Sequence, residues 1–180
     1  YNHLRYEEKI KLSNPVKNGC RLRVPKPLPR CLREEDVQHL FCVIKNKRDV
    51  AMFKLMLRCG LRVEEVSNLT LGAIDLKRRK IIVNHGKGSK DRVVYISDDA
   101  HDALVAYLKM RSHYRVKKIF LVEKGNYKGQ PISVRGIQKR MEYYAKKTGL
   151  KVSCHCLRHT MATQLLNADA EVETIQDLLG

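Results

Sequence analysis

Tryptophan is absent from the 180-residue sequence, and acidic residues are scarce beside basic ones. Lysine and arginine number 36 against 19 aspartates and glutamates, which gives a formal net charge of +17. Such an excess of one sign repels itself in a compact chain unless a polyanion neutralises it, so nucleic acid is the leading candidate partner. An anionic membrane is the weaker alternative because no basic amphipathic segment stands out, and a generically basic surface is the third.

Long apolar runs and paired cysteine motifs are also missing. The longest apolar run, 50–57, is interrupted by Lys54 and is far shorter than a membrane span. No signal-peptide pattern opens the chain, and none of the six cysteines forms a CxxC pair, so zinc-ribbon and thioredoxin-like motifs are excluded. We therefore expect a cytoplasmic protein with reduced thiols and no membrane partner.

Proline is rare except at the start of the chain. Four of the five prolines lie in the basic segment SNPVKNGCRLRVPKPLPR, which follows YNHLRYEEKIKL, and the first residue is not methionine. Proline fixes φ and removes a hydrogen-bond donor, so this segment is predicted to be an extended linker. We expect residues 1–30 to be a tether that leaves an upstream domain, and residues 31–180 to form one compact domain.

Hydrophobic periodicity predicts the fold of that domain. Apolar residues recur at helical spacing from Glu34 onward, and six further segments continue this pattern, the second helix ending at Gly60. The period changes to two in AIDL, KIIVN and RVVYIS, which are separated by KRR and HGKGSKD. The prediction is a mainly α domain with a small three-stranded antiparallel sheet, whose second hairpin has a basic, glycine-containing tip.

Three short motifs carry residues suited to chemistry on a phosphodiester, namely CGLRVEEV, HGKGSKDR and HCLRH. Attack on phosphorus builds negative charge on the non-bridging oxygens, and Arg62 and Arg158 can hold these oxygens by bidentate hydrogen bonds. A helix places His155 on the same face as Arg158, and a histidine exchanges protons near neutral pH. Lys87 can reach a DNA groove from the hairpin and protonate the leaving oxygen. No metal or other cofactor is needed if arginines neutralise the charge.

The order and spacing of these motifs resemble the catalytic domain of the tyrosine site-specific recombinases. Gly-Leu-Arg-x-x-Glu precedes the strands, Gly-Lys-Gly-x-Lys-x-Arg lies on the hairpin, and His-x-Leu-Arg-His follows on a helix. The resemblance runs from about residue 29 to residue 180, which is nearly all of the globular part, and it implies that residues 1–30 are the end of a core-binding domain with the interdomain linker. It implies that Arg62 is the first arginine of the family's site and Glu65 the acidic residue that supports the pocket. It further implies that Lys87 is the general acid, and that His155 and Arg158 are the histidine and arginine of the second box.

The resemblance implies a reaction as well. A tyrosine hydroxyl attacks the phosphate to give a 3′-phosphotyrosyl linkage, and a 5′ hydroxyl of a second strand reverses the step. The expected function is site-specific integration or excision of a bacterial mobile element, by a homo-tetramer on two DNA sites, with possible accessory DNA-bending proteins. None of the eight tyrosines lies beyond the second box. We therefore expect a domain truncated before its nucleophile, which binds double-stranded DNA without cleaving it.

Other basic residues and His159 have less specific roles. His159 is expected to pack beneath the site in support of it. Backbone phosphate contacts, which give affinity with little sequence readout, are predicted for five residues, with solvated surface as the alternative for each. These residues are Lys90, Arg92, Arg135, Lys139 and Arg140.

Several competing interpretations remain open at this stage. His155 and His159 have a spacing that can ligate zinc, but Cys154 and Cys156 point to different sides of a helix, so a closed four-ligand site is disfavoured. HGKGSK lacks the spacing of a nucleotide-binding phosphate loop. At the level of function, the alternatives are a non-catalytic DNA-binding regulator derived from a recombinase, and a type IB topoisomerase-like enzyme.

Overall fold

The computed structural model describes residues 31–83, 91–111 and 115–180. Seven α-helices lie in these ranges: α1 (Glu34–Val43), α2 (Lys47–Arg58), α3 (Val63–Asn68), α4 (Asp98–Met110), α5 (Val134–Thr148), α6 (Cys154–Asn167) and α7 (Val172–Leu179). The strands are β1 (Ile74–Asp75), β2 (Lys80–Val83) and β3 (Arg92–Tyr95). The predicted linker, 1–30, lies outside the described residues.

The three strands form one antiparallel sheet in the order β1-β2-β3. Val83 pairs with Arg92, so residues 84–91 connect β2 to β3 next to this pair. Ile81 and Val94 pair on the buried face, whereas Ile82 and Val93 pair on the exposed face. The predicted fold class is confirmed, although β1 is shorter than expected because a 3-10 turn begins the segment.

Helix α2 is the centre of the core. Its Ala51, Met52, Phe53, Leu55 and Met56 have no exposed surface, because α2 packs against both α4 and α6. Helix α5 packs against α1 and α3. Since α2 ends beside α3 and runs along α6, the core brings the two arginine motifs to the same end of the molecule.

A buried ionic cluster joins the first turn of α2 to α5. The Asp49 carboxylate, which has no exposed surface, accepts hydrogen bonds from Arg48 Nη2 at 2.7 Å, Arg140 Nε at 2.8 Å and the Tyr144 hydroxyl at 3.0 Å. Arg48 also donates to the Leu121 carbonyl at 2.9 Å. The cluster fixes the position of α5 relative to the central helix. None of the helices in the described ranges has the length and apolar character that a membrane span requires.

Candidate phosphate-binding site

An open cleft of about 510 Å³ lies where the start of α3, one face of α5 and the start of α6 meet. Arg62, His155 and Arg158 line it, together with Arg135 and Gln138 of α5. Residues separated by more than 90 positions along the chain are therefore brought to one surface. The cleft collects three of the five predicted catalytic residues.

Arg62 is held by Glu65 at the start of α3. The Arg62 backbone N–H donates to Glu65 Oε2 at 2.7 Å, and its guanidinium Nη1 donates to Glu65 Oε1 at 2.9 Å. A carboxylate in the first helical turn that accepts from the N-cap N–H is one half of a capping box. The third position of a short helix thus fixes both the backbone and the guanidinium of Arg62.

Arg158 lies deeper than Arg62, with only 9% of its surface exposed. Its guanidinium donates to the Gly60 carbonyl after α2 and to the Leu179 carbonyl at the end of α7. Burial, followed by the positive charge of Arg62, lowers the pKa of Arg158 to about 10. The side chain still carries its charge at neutral pH, and a bound anion would relieve its repulsion from Arg62.

Position 60 requires glycine, because its backbone conformation is strained for other residues and a side chain would clash with its neighbours. Its φ of +62° lies in the left-handed region, and a Cβ there would come within 2.6 Å of Met161 Sδ and 3.1 Å of a Leu179 methyl group. The predicted end of the helix at Gly60 is confirmed, and Gly60 also presents its carbonyl to Arg158.

We expect Gly60→Ala to lower the free energy of unfolding by about 1–3 kcal/mol, because the residue is strained and the new methyl group meets Met161. Gly149→Ala is the matched control, since Gly149 has a φ of +70° with no atom within 4 Å of its Cβ position. Urea denaturation of both variants separates backbone strain from the steric contact. An equal loss in the two would show that the Met161 contact costs nothing.

His155 lies in the first turn of α6, with its side chain exposed to the cleft. Ser153 caps this helix by accepting from the Cys156 N–H at 3.3 Å. The positive end of the helix dipole therefore faces the cleft, an arrangement that favours an anion. His155 can exchange a proton with a group bound there.

His159 lies one turn further along α6, and its ring meets the ring of His155 edge-on at 4.3 Å. Burial, and then the charges of His155 and Arg158, lower the pKa of His159. Its neutral form is favoured at neutral pH, so its ring packs against that of His155 without adding charge to the cleft.

The charges around the two arginines do not balance. Arg92 at the start of β3 binds both carboxylate oxygens of Glu65, through Nη1 at 2.8 Å and Nη2 at 2.8 Å. Three guanidinium charges therefore surround one carboxylate. Burial alone would raise the pKa of Glu65, but the hydrogen bonds from Arg92 and Arg62 outweigh it and lower the pKa, so the carboxylate stays ionised. The excess positive charge favours an anionic ligand.

Metal ligation is not supported by the described part of the chain. Within residues 31–83, 91–111 and 115–180, no group of three or more histidine, cysteine or acidic side chains is placed to hold a metal ion. The Cys154 thiol is buried, and this burial raises its pKa to about 12, so the thiolate that zinc requires is disfavoured. The Cys156 Sγ instead accepts a hydrogen bond from the Ser153 hydroxyl at 3.2 Å.

The structure separates the predicted DNA-contact residues into two groups. Arg135 and Lys139 are exposed on α5, as backbone contacts require. Arg92 and Arg140 are instead engaged within the protein, Arg92 with Glu65 and Arg140 with Asp49, and for both of them DNA contact stays a prediction. Lys87 and Lys90 lie outside the described residues.

Three backbone carbonyls at the end of α7 were not anticipated from the sequence. Those of Leu178, Leu179 and Gly180 accept hydrogen bonds from Arg92, Arg158 and Arg62, respectively. A carbonyl group is common to every residue type, so no sequence signal marks these contacts. Arg92 was predicted to contact the DNA backbone, and its pairing with Glu65 was missed because the two residues lie 27 positions apart in the sequence.

Comparison with known proteins agrees with this geometry. Residues 30–180 match the phage integrase family. Tyrosine recombinase XerA of Thermococcus kodakarensis is 39% identical over 160 residues, covering 88% of this chain and 56% of that protein. XerC of Pelotomaculum thermopropionicum is 35% identical over 192 residues, covering 100% of this chain and 62% of that protein. The chain thus spans less than two thirds of the length of these relatives.

Solved structures share the fold. A crystal structure of XerA recombinase matches with a TM-score of 0.77 at 29% identity, covering 87% of this chain and 57% of that one. XerH recombinase bound to its difH substrate matches with a TM-score of 0.70 at 25% identity, covering 86% of this chain and 48% of that one. The motifs, the cleft and these similarities agree, and the chain belongs to the phage integrase family, among the tyrosine recombinases.

Proposed function

We propose that the protein carries out site-specific recombination of double-stranded DNA, by cleaving and rejoining strands through a phosphotyrosyl intermediate. The observation that carries the proposal is the cleft, where Arg62, Arg158 and His155 meet at the positive end of α6. Two relatives named as tyrosine recombinases support it, as does the structural similarity to XerH bound to difH.

The charge of the site matches the needs of the reaction. A phosphodiester carries one negative charge, and attack by a deprotonated hydroxyl raises this to two in the pentacoordinate transition state. Among the described residues, Arg62 and Arg92 both hydrogen-bond the Glu65 carboxylate and Arg158 bonds two backbone carbonyls, so the three guanidiniums outnumber the one carboxylate that they contact. Donors that are already oriented stabilise charge as it develops, and no metal is required for this. His155 exchanges protons at the phosphate, and Lys87 protonates the leaving 5′ oxygen.

The nucleophile is assigned to no tyrosine among these 180 residues. Of the tyrosines in the described ranges, none lines the cleft. The Tyr107 hydroxyl is engaged with the Ile119 carbonyl, and the Tyr144 hydroxyl with Asp49. Residues 31–180 are thus proposed to supply the phosphate-binding part of the site and, by themselves, to bind DNA without cleaving it.

The biological setting is the finer part of the proposal. We propose a cytoplasmic enzyme that integrates or excises a mobile element as a tetramer on two DNA sites, aided by accessory DNA-bending proteins. The Tn1549 transposon integrase in complex with circular intermediate DNA shares the fold, at a TM-score of 0.77 and 20% identity. At this identity the similarity concerns the fold alone.

The test is formation of a covalent adduct by the complete gene product. Duplexes selected by binding from genomic fragments would be nicked beside the candidate cleavage position, so that the released strand diffuses away and the adduct accumulates. A protein band that shifts in denaturing gels and is sensitive to nuclease is the expected result. Binding without any adduct would favour the non-catalytic regulator, whereas relaxation of supercoiled plasmid by a monomer would favour a type IB topoisomerase.

Salt dependence tests the DNA contact proposed for Lys139. We expect Lys139→Ala to weaken binding about equally for all DNA sequences and to reduce the slope of log affinity against log salt by about 1. Lys77→Ala in the turn between β1 and β2 is the control, because Lys77 is similarly exposed but has no proposed contact. Fluorescence anisotropy between low and physiological salt measures the slope, and equal slopes in both variants would contradict the contact.

A further inference from the structure

The guanidinium of Arg92 is committed to partners inside the protein. Its two terminal nitrogens each bind one oxygen of Glu65 at 2.8 Å, and its Nε donates to the Leu178 carbonyl at 3.1 Å. Only 10% of the side chain is exposed. Two parallel hydrogen bonds between a guanidinium and a carboxylate fix these planar groups relative to one another, and the ammonium group of a lysine cannot form such a pair of bonds.

Glu65 passes this constraint on to Arg62. The same two carboxylate oxygens that bind Arg92 also accept the Arg62 backbone N–H at 2.7 Å and its guanidinium at 2.9 Å. Without Arg92, the Glu65 carboxylate would be oriented only by Arg62, which is the residue whose guanidinium it positions. Arg92 therefore determines the plane of the Glu65 carboxylate and, through it, the direction of the Arg62 guanidinium.

The place of Arg92 in the fold extends this link to two other elements. It is the first residue of β3 and pairs with the last residue of β2, directly beside the connection 84–91 that carries Lys87. Its third hydrogen bond reaches Leu178 near the end of α7. One side chain thus joins the base of the hairpin, helix α3 and helix α7.

We propose that Arg92 is a positioning residue for strand cleavage, which acts through Glu65 on Arg62 and fixes the base of the hairpin, rather than a contact to the DNA backbone. The inference rests on the proposed function, because it concerns the same phosphate-binding site. It assigns to the arginine of Lys-x-Arg a role inside the site, and it makes Glu65 the shared partner of two arginines.

The test compares Arg92→Lys with wild type in the complete gene product. We expect single-turnover adduct formation at saturating protein to fall about 10- to 100-fold, because small misplacements of catalytic groups have effects of this size. The dissociation constant for DNA and its salt slope should stay close to the wild-type values. Arg78→Lys is the matched control, since Arg78 is 80% exposed in the turn between β1 and β2.

A double-mutant cycle with Glu65→Gln tests whether Arg92 acts through Glu65. If it does, Arg92→Lys should cause little further loss of cleavage in the Glu65→Gln background. If Arg92→Lys lowers the cleavage rate by the same factor in wild type and in the Glu65→Gln variant, the inference is overturned. It is also overturned if Arg92→Lys cleaves at the normal rate at saturating protein but binds DNA more weakly, with a salt slope lowered by about 1. Thermal unfolding and DNA binding show whether Arg92→Lys is folded. If it is not, Arg92→Gln replaces it in the double-mutant cycle. Absence of any adduct from wild type would instead overturn the proposed function and this inference with it.

Discussion

Arg158→Ala in the complete gene product is expected to reduce the rate of adduct formation by about 10²–10³-fold, the range found when one preorganised donor is lost from a charged transition state. Arg158 is nearly buried beneath the cleft, and its pKa of about 10 keeps it charged at neutral pH. Alanine removes one of the two guanidiniums proposed to hold the non-bridging oxygens. Single-turnover assays on nicked duplexes measure the loss.

DNA affinity should change much less than cleavage, because exposed cations such as Arg135 and Lys139 are proposed to supply the backbone contacts. Arg158→Lys is the second variant, since it retains the charge but not the paired geometry that binds the Gly60 and Leu179 carbonyls. Arg78→Ala is the exposed control. Cleavage by Arg158→Ala at the wild-type rate would remove Arg158 from the site.

Asp49→Ala is expected to lower the free energy of unfolding by about 3–5 kcal/mol, the cost of breaking a buried ion pair from one side. The variant leaves Arg48, which is 5% exposed, without the carboxylate that accepts from both its Nε and its Nη2. The next acidic group, Glu123, lies 3.9 Å from Arg48. Arg140 and Tyr144 of α5 lose the same partner.

Denaturant unfolding of Asp49→Ala, with Asp102→Ala as control, measures this loss. Asp102 is 82% exposed, and its replacement should change the free energy of unfolding by no more than about 0.5 kcal/mol. A similar change in the two variants would show that the buried cluster contributes nothing to stability. Asp49→Asn should fall between them, because the amide retains an oxygen acceptor for one of the arginines.

Much of the fold and three residues of the cleft were accessible from the sequence because their signals are local. The amphipathic stripe of α1, the helix end at Gly60 and the period-two strands each depend on neighbouring residues. Arg62 and His155 belong to motifs with fixed spacing, and the core of α2 brings these motifs together. Pattern and spacing were sufficient to predict these features because regular helices and strands determine the direction of each side chain.

The internal partners of Arg92 and Arg140 show what such reasoning misses. Arg140 lies on the polar side of an amphipathic helix, where a cation is normally solvated, but its partner Asp49 is 91 positions away. Asp49 itself follows Arg48 in a pattern typical of an exposed first turn, although neither is exposed. Ion pairs between distant segments depend on packing, and a single sequence contains no periodic signal for them.

The end of α7 has a thermodynamic consequence for the whole site. Successive carbonyls of Leu178, Leu179 and Gly180 bind three arginines from three different segments. A phosphate that withdraws donors from these carbonyls must weaken the docking of α7, and anything that releases α7 must change the affinity for phosphate by the same factor. For such a phosphate, occupancy of the cleft and attachment of α7 are reciprocally linked quantities, and either one can be used to read out the other.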